Sequence, residues 1–204
     1  FDFDVSVKDI FSGLFTGATV AIVPTAYFTV PTKLMDFICE HEATVLIWAV
    51  SALCFLTTMN ALAYKCPDKL RTIMFSGEVM PIKHLNKLRR HLPDAMYVNL
   101  YGPTEITCNC TYHILDRHYE NDKLIPIGKS FPNKRVFLLE RPEEDGDSET
   151  EAPAVPRIIP VTEPDCRGEI CVEGTGVALG YWNNPARTAE SFTARPGAPA
   201  TLNR

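Results

Sequence analysis

What most constrains the fold is an alternation: helix-patterned segments and short apolar strands succeed one another from residue 1 to about residue 116. That rhythm marks βα units built around a mostly parallel sheet flanked by helices. Residues 5–15 read as helix, 19–23 as strand, 32–40 as helix, 44–49 as strand and 51–62 as helix. Residues 72–75 form the next strand, and Pro81 suits the first position of a helix whose Ile82, Leu85, Leu88 and Leu92 recur every three or four residues. A further strand is expected over 95–98. From about residue 125 the texture changes to strands separated by turns, clearest at 135–139 and 169–173, which implies a small β-rich, barrel-like subdomain. The expected division is an α/β part over 1–118, a β-rich part over 119–192 and a truncated tail over 193–204. Residues 140–165 hold nine acids, two arginines and five prolines, a local charge of −7. Charges at that density repel one another and bring little apolar surface to bury, so a mobile, solvated loop is expected there.

With 46% hydrophobic and 22% charged residues over 204 positions, the chain can bury one sizeable core and a second small one. Disorder along the whole length is excluded. The net charge is −5 and no block of Lys and Arg dominates, which argues against nucleic acid or a membrane surface as partner and for a small molecule. Lys83, Lys87, Arg89 and Arg90 read as the solvated face of their helix. The longest apolar run, 45–56 with only Ser51 breaking it, is shorter than the roughly 20 residues a membrane span requires. The opening Phe1-Asp2-Phe3-Asp4 is acidic, unlike a signal peptide, and without an initiator Met it suggests a piece of a longer protein. Seven cysteines without paired spacing fit the reduced thiols of a cytoplasmic protein, and Cys108 with Cys110 alone is a poor zinc set.

Several familiar chemistries fail on spacing. Gly128-Lys129-Ser130 lacks the glycine of a phosphate loop, since Lys123 stands in its place. Gly174, Gly176 and Gly180 miss the dinucleotide fingerprint by one residue. No serine sits in a nucleophile elbow, and no histidine has a helix-spaced metal partner. What remains is Asn99-Leu100-Tyr101-Gly102-Pro103-Thr104-Glu105, expected as a loop directly after the 95–98 strand, where parallel sheets bind ligands. It offers an aromatic face for a base, a hydroxyl for a phosphate oxygen and a carboxylate for a hard cation such as Mg²⁺. An ordinary exposed turn capped by Thr104 is the other reading of the same residues.

This stretch resembles the NxYGPTE motif of the adenylate-forming enzymes, specifically the amino-acid-activating domains of nonribosomal peptide synthetases and the D-alanine–carrier protein ligases. Two further stretches agree in order. Phe3-Asp4-Val5-Ser6-Val7 resembles the FDxSV motif of that branch. Gly168-Glu169-Ile170-Cys171-Val172, with Gly174, Gly176 to Tyr181, Asn184-Pro185 and Thr188 to Phe192, resembles its GELxIxGxGVARGYxNxPxxTAExF motif. The resemblance covers roughly residues 1–192.

It implies a two-step reaction: a carboxylate attacks the α-phosphate of ATP, and the acyl-adenylate then passes to the phosphopantetheine thiol of a carrier protein. It further implies that Thr104 contacts the α-phosphate, Glu105 holds Mg²⁺, Asn99 bonds adenine, and Tyr101, Gly102 and the Gly77-Glu78 turn flank the AMP. Asp4 would accept the ammonium of a small amino acid substrate. The substrate pocket maps to Asp4, Val5, Lys8, Ile47, Met74, Ser76, Leu100, Cys108 and Asn109. Lys8, four residues after Asp4, either pairs with it on the helix or meets an acidic substrate side chain. The stretch Met74 to Pro81 is most similar to the D-alanine ligases, although Ser76 stands where they often carry Cys. The family's phosphate loop would precede Phe3, its YxTGD aspartate has no counterpart after Phe192, and its C-terminal lysine is absent, so the chain alone is expected to be inactive. An acyl-CoA synthetase and a noncatalytic nucleotide-binding scaffold are the competing readings.

Overall fold

The computed structural model describes residues 3–120, 123–140, 158–159 and 166–193. The chain divides into two compact units, Phe1–Lys129 and Ser130–Arg204. The division falls later than residue 118 because Tyr119 and Ile125 are buried in the core of the first unit. The acidic stretch expected as a loop lies outside the described residues except for Glu140, Ile158 and Ile159, as does the tail beyond residue 193.

In the first unit, helix α1 (Ser6–Thr16) is followed by a 3-10 turn (Thr25–Thr29) and helix α2 (Pro31–Glu40). Then come β1 (Val45–Ala49), α3 (Val50–Thr58), α4 (Ala61–Tyr64), β2 (Thr72–Ser76), α5 (Ile82–His91), β3 (Met96–Tyr101) and β4 (Thr111–Ile114), with a two-residue strand β5 (Lys129–Ser130). The sheet order is β1-β2-β3-β4-β5, with β1, β2 and β3 parallel and β4 antiparallel to β3. The mainly parallel sheet and its helices are those the apolar spacing predicts.

Four local differences have physical causes. Residues 19–23 form no strand: no neighbour pairs with them among the described residues, and Val20 and Ile22 are exposed. An apolar run becomes strand only when its backbone groups find a ladder. The helix expected over 51–62 is two helices, broken where Asn60 takes the left-handed conformation at φ 54°, a region asparagine tolerates better than most residues. Pro81 stands just outside α5 with an extended ψ of 126°, so the helix opens at Ile82. Finally, β3 continues to Tyr101, placing Asn99, Leu100 and Tyr101 in the strand rather than in a loop.

Strand register sorts the side chains into two faces. Leu46, Ile73, Phe75 and Tyr97 share one face and are buried with Leu34, Leu53 and Leu85 of the helices. Ile47, Met74 and Val98 pair across the sheet on the opposite face, where Ser76 and Leu100 follow two residues on. Helices α2 to α5 therefore cover one side of the sheet with a core, while on the other side Ser76, Val98 and Leu100 are buried outside that core.

Between α3 and α5 lies a polar node. Buried Thr57 meets His84 Nδ1 through its hydroxyl at 2.6 Å, and Lys87 Nζ donates to the Thr57 carbonyl.

The second unit holds a three-stranded antiparallel sheet, β6 (Lys134–Leu139) between β7 (Ile158–Ile159) and β8 (Glu169–Gly174). After it, helix α6 (Pro185–Ser191) is capped by Asn184, whose Oδ1 accepts from the Arg187 N–H at 3.2 Å. Thr188 Oγ1 accepts from the Tyr181 N–H at 2.9 Å, and Tyr181 meets Phe192 edge to face. In this motif, then, Asn184, Thr188, Tyr181 and Phe192 fasten a short helix to the preceding turn. No helix among the described residues is long and apolar enough to cross a membrane.

The node at His84 sets an acid response. Burial first, then Lys83 and Lys87, hold its pKa below the ordinary 6.5. The unfolded chain takes up that proton before the native chain does. Stability from neutral His84 is thus complete above about pH 6.5 and is lost as pH falls through the lowered native value. Urea midpoints measured from pH 7.5 to 5 should fall with acid, and His84→Gln should flatten that fall; equal slopes for both proteins would refute it.

Candidate functional site

The 99–105 segment owes its position to a hairpin. Strand β4 returns antiparallel along β3, pairing Tyr101 with Thr111 and Leu100 with Tyr112, and the Cys110 N–H donates to the Tyr101 carbonyl at 2.8 Å to close the turn. Thr104–Ile106 forms a 3-10 turn inside it. Gly102 is where the two arms touch: a Cβ there would stand 2.6 Å from both the Asn109 Cα and the Cys108 carbonyl oxygen, so only glycine fits. Thr107 and Cys108 then take left-handed φ values of 57° and 76° in succession, conformations that cost non-glycine residues energy.

An acidic side chain from elsewhere holds that strained turn. Asp4, just before α1, accepts the Cys108 N–H on Oδ2 at 2.8 Å, and Thr104 Oγ1 lies 3.5 Å from its Oδ1. One helical turn on, Lys8 Nζ donates to Asn109 Oδ1 at 2.9 Å, an oxygen that also accepts from Cys108 Sγ at 3.4 Å. Among the described residues Asp4 and Lys8 form no ion pair, so that reading of their spacing is not realised. Burial pushes the Cys108 thiol pKa up; the Lys8 charge opposes this and the Asp4 charge adds to it.

The structure thus brings Asp4, Lys8, Thr104, Cys108 and Asn109 into one cluster of contacts. Val5 is half-buried beside Asp4 in sequence, Glu105 is half-buried next to Thr104, and Leu100 lies in the strand feeding the turn. Ile47, Met74, Ser76 and Leu100 line the sheet face that α2 to α5 leave uncovered; Ser76 and Leu100 are buried there. Leu100 stands on that face in the strand that leads into the turn. Gly77 and Glu78 follow directly on β2, where Gly77 has a φ of 94° and Glu78 is exposed. Asn99 points to the helix-covered face and donates from Nδ2 to the Pro126 carbonyl at 3.0 Å. Burial raises the Tyr101 phenol pKa.

Two contributors escaped the sequence. Strand β4 is not among the expected elements, although Thr111-Tyr112-His113-Ile114 carries the β-branched and aromatic residues strands favour. The main-chain N–H of Cys108, which Asp4 captures, leaves no sequence signal at all.

This fold and this turn define a class: the chain belongs to the AMP-binding enzyme family, which matches residues 1–182. It is similar to tyrocidine synthase 3 of Brevibacillus parabrevis, at 34% identity over 97% of this chain and 3% of that protein. It is also similar to an L-proline:L-prolyl-carrier-protein ligase of Streptomyces coelicolor, at 36% identity over 96% of this chain and 35% of that one. Among solved structures, IdnL1 superposes with a TM-score of 0.78 at 30% identity, covering 96% of this chain and 37% of that chain. PA1221, an NRPS protein containing adenylation and PCP domains, gives 0.74 at 30% identity, covering 95% of this chain and 35% of that one. The chain therefore spans well under half the length of each of these proteins.

The close approach at Gly102 is testable by stability. Gly102→Ala should force the hairpin arms apart and lower the unfolding free energy of the protein by about 1–3 kcal/mol, the usual range for overpacking. An unchanged urea midpoint would contradict this.

Proposed function

We propose that the protein carrying this chain activates an amino acid with ATP and hands it to a carrier protein. The observation that carries this reading is the 3.5 Å between Asp4 Oδ1 and Thr104 Oγ1. In an α-amino acid the ammonium and the reacting carboxylate hang from one carbon. A partner for the ammonium must therefore stand within a few ångströms of the group that meets the phosphate. An uncharged acyl substrate would gain nothing from the Asp4 carboxylate and would suffer its desolvation. The names of the relatives, carrier-protein ligases and synthetases among them, support the same reading.

In the proposed reaction the substrate carboxylate oxygen attacks the α-phosphorus of ATP, and the bond to pyrophosphate breaks. The carrier's phosphopantetheine thiolate then attacks the acyl carbonyl and AMP leaves. Asp4 fixes the ammonium, Thr104 contacts the α-phosphate, and orientation of this kind supplies much of the rate. Tyr101, Gly102 and Gly77-Glu78 border the adenosine at the ends of β2 and β3. Asn99 offers Oδ1 to the adenine amino group, its Nδ2 being engaged by Pro126. Val5, Ile47, Met74, Ser76, Leu100, Cys108 and Asn109 surround the substrate side chain.

Glu105 suits Mg²⁺. Among the described residues no three metal-ligating side chains converge, and Mg²⁺ characteristically takes one or two carboxylates together with phosphate and water oxygens. Bound there, the ion would offset phosphate charge. The odd cysteine count supports a cytoplasmic setting.

Two carboxylate variants should fail differently in the full protein. Glu105→Gln should lower amino-acid-dependent ATP–pyrophosphate exchange strongly with little change in amino-acid KM. Asp4→Asn keeps an acceptor for the Cys108 N–H while removing the charge, so it should weaken the amino acid by two decades or more, about 3 kcal/mol for a partly buried pair. Equal use of an amino acid and its deaminated analogue by wild type would overturn the assignment of Asp4.

A further inference from the structure

Lys8 is a cation placed among neutral partners. It is half-buried, its Nζ donates to the Asn109 amide oxygen at 2.9 Å, and no carboxylate among the described residues reaches ion-pair distance of it. Asp9, next in the chain, makes no ion pair with Lys8; burial raises its carboxyl pKa, and the Lys8 charge only opposes that rise. Asp4, which a helical pairing would have used, is turned instead to the Cys108 N–H and to Thr104. An ammonium has three donors. One is spent on Asn109 and a second is within reach of the Cys108 thiol, both neutral groups, and burial without an anion costs free energy.

Its position relative to Asp4 gives that spare capacity a direction. Asp4 and Lys8 are four residues apart, so they lie on one side of the helix start, separated by roughly 6 Å along its axis. Both face the same turn, Asp4 at Cys108 and Thr104, Lys8 at Asn109. The Asp4 end adjoins the hydroxyl proposed to meet phosphate, so the Lys8 end lies toward the substrate's side chain. An amino acid with its ammonium on Asp4 and its carboxylate near Thr104 meets Lys8 and Asn109 if its side chain runs along the same turn. A methyl group, as in D-alanine, is too short to answer the charge there; a side-chain carboxylate two or three bonds further on can reach it.

We infer that Lys8 selects a substrate with an acidic side chain, an amino acid of the aspartate or glutamate class, by forming a charge-assisted hydrogen bond while Asn109 holds its ammonium in place. This rests on the amino-acid-activating reading above. Selection by charge excludes the isosteric amides, which match in shape but cannot neutralise the lysine.

The test is ATP–pyrophosphate exchange by the full protein with matched pairs: glutamate and glutamine, aspartate and asparagine, each enantiomer, with D-alanine alongside. Wild type should use an acid at least tenfold better than its amide, by kcat/KM. Lys8→Met should lower kcat/KM for that acid about 100-fold and erase the preference, Lys8→Arg should retain it, and Lys8→Glu should favour ornithine or lysine. An amide or D-alanine used as well as the acids by wild type overturns the inference and leaves amino-acid activation standing; so does an unchanged acid-to-amide ratio in Lys8→Met. Exchange with no amino acid at all would overturn both.

Discussion

The turn between β3 and β4 is tied to the start of α1 by a hydrogen bond from the Cys108 N–H to the Asp4 carboxylate. Two consecutive left-handed residues, Thr107 and Cys108, cost free energy that contacts around the turn must offset. Asp4 supplies one such contact from the start of α1, over a hundred residues earlier in the chain. The same contact brings α1 to the turn, so Lys8 falls against Asn109 and the hydroxyl of Thr104 comes near a carboxylate. One carboxylate thus ties the helix start to both ends of the turn, and losing it would loosen both.

Much of the architecture is written locally. Strands β1 and β2 and helices α2 and α5 follow from apolar spacing and from prolines at helix starts, features that nearby residues alone decide. The 99–105 stretch announces its chemistry through its side chains. What the sequence hides is whatever a distant partner decides. Residues 19–23 have the composition of a strand but no neighbour to make them one. Asn60 ends α3 through its own backbone freedom, and the left-handed turn at 107–108 carries no glycine to betray it. The pocket positions came from the resemblance; their shared face at Ile47, Met74, Ser76 and Leu100 has a simple basis in the two-residue period of strands. The register that aligns one strand's face with the next is set between strands, beyond reach of any local pattern.

The third motif shows a different division of labour. In the second unit Asn184, Thr188, Tyr181 and Phe192 are occupied with capping and stacking. Their identities answer to the stability of α6. Asp4, Thr104 and Asn109 instead join segments about a hundred residues apart in the chain. Stretches that resemble motifs of one family thus serve a local fastening in one place and a long-range one in another.

The hairpin frame is built largely from main-chain atoms: the N–H groups of Cys108 and Cys110, the Tyr101 carbonyl and the bare Cα of Gly102. Side chains at 108 and 109 hang from that frame without being needed to close it. Those two side chains can therefore be exchanged while the scaffold stays as it is. The freedom has a boundary, because the left-handed backbone at 108 admits unbranched or small polar residues far more readily than valine, isoleucine or threonine. What can stand at position 108 is limited by a torsion angle before it is limited by chemistry.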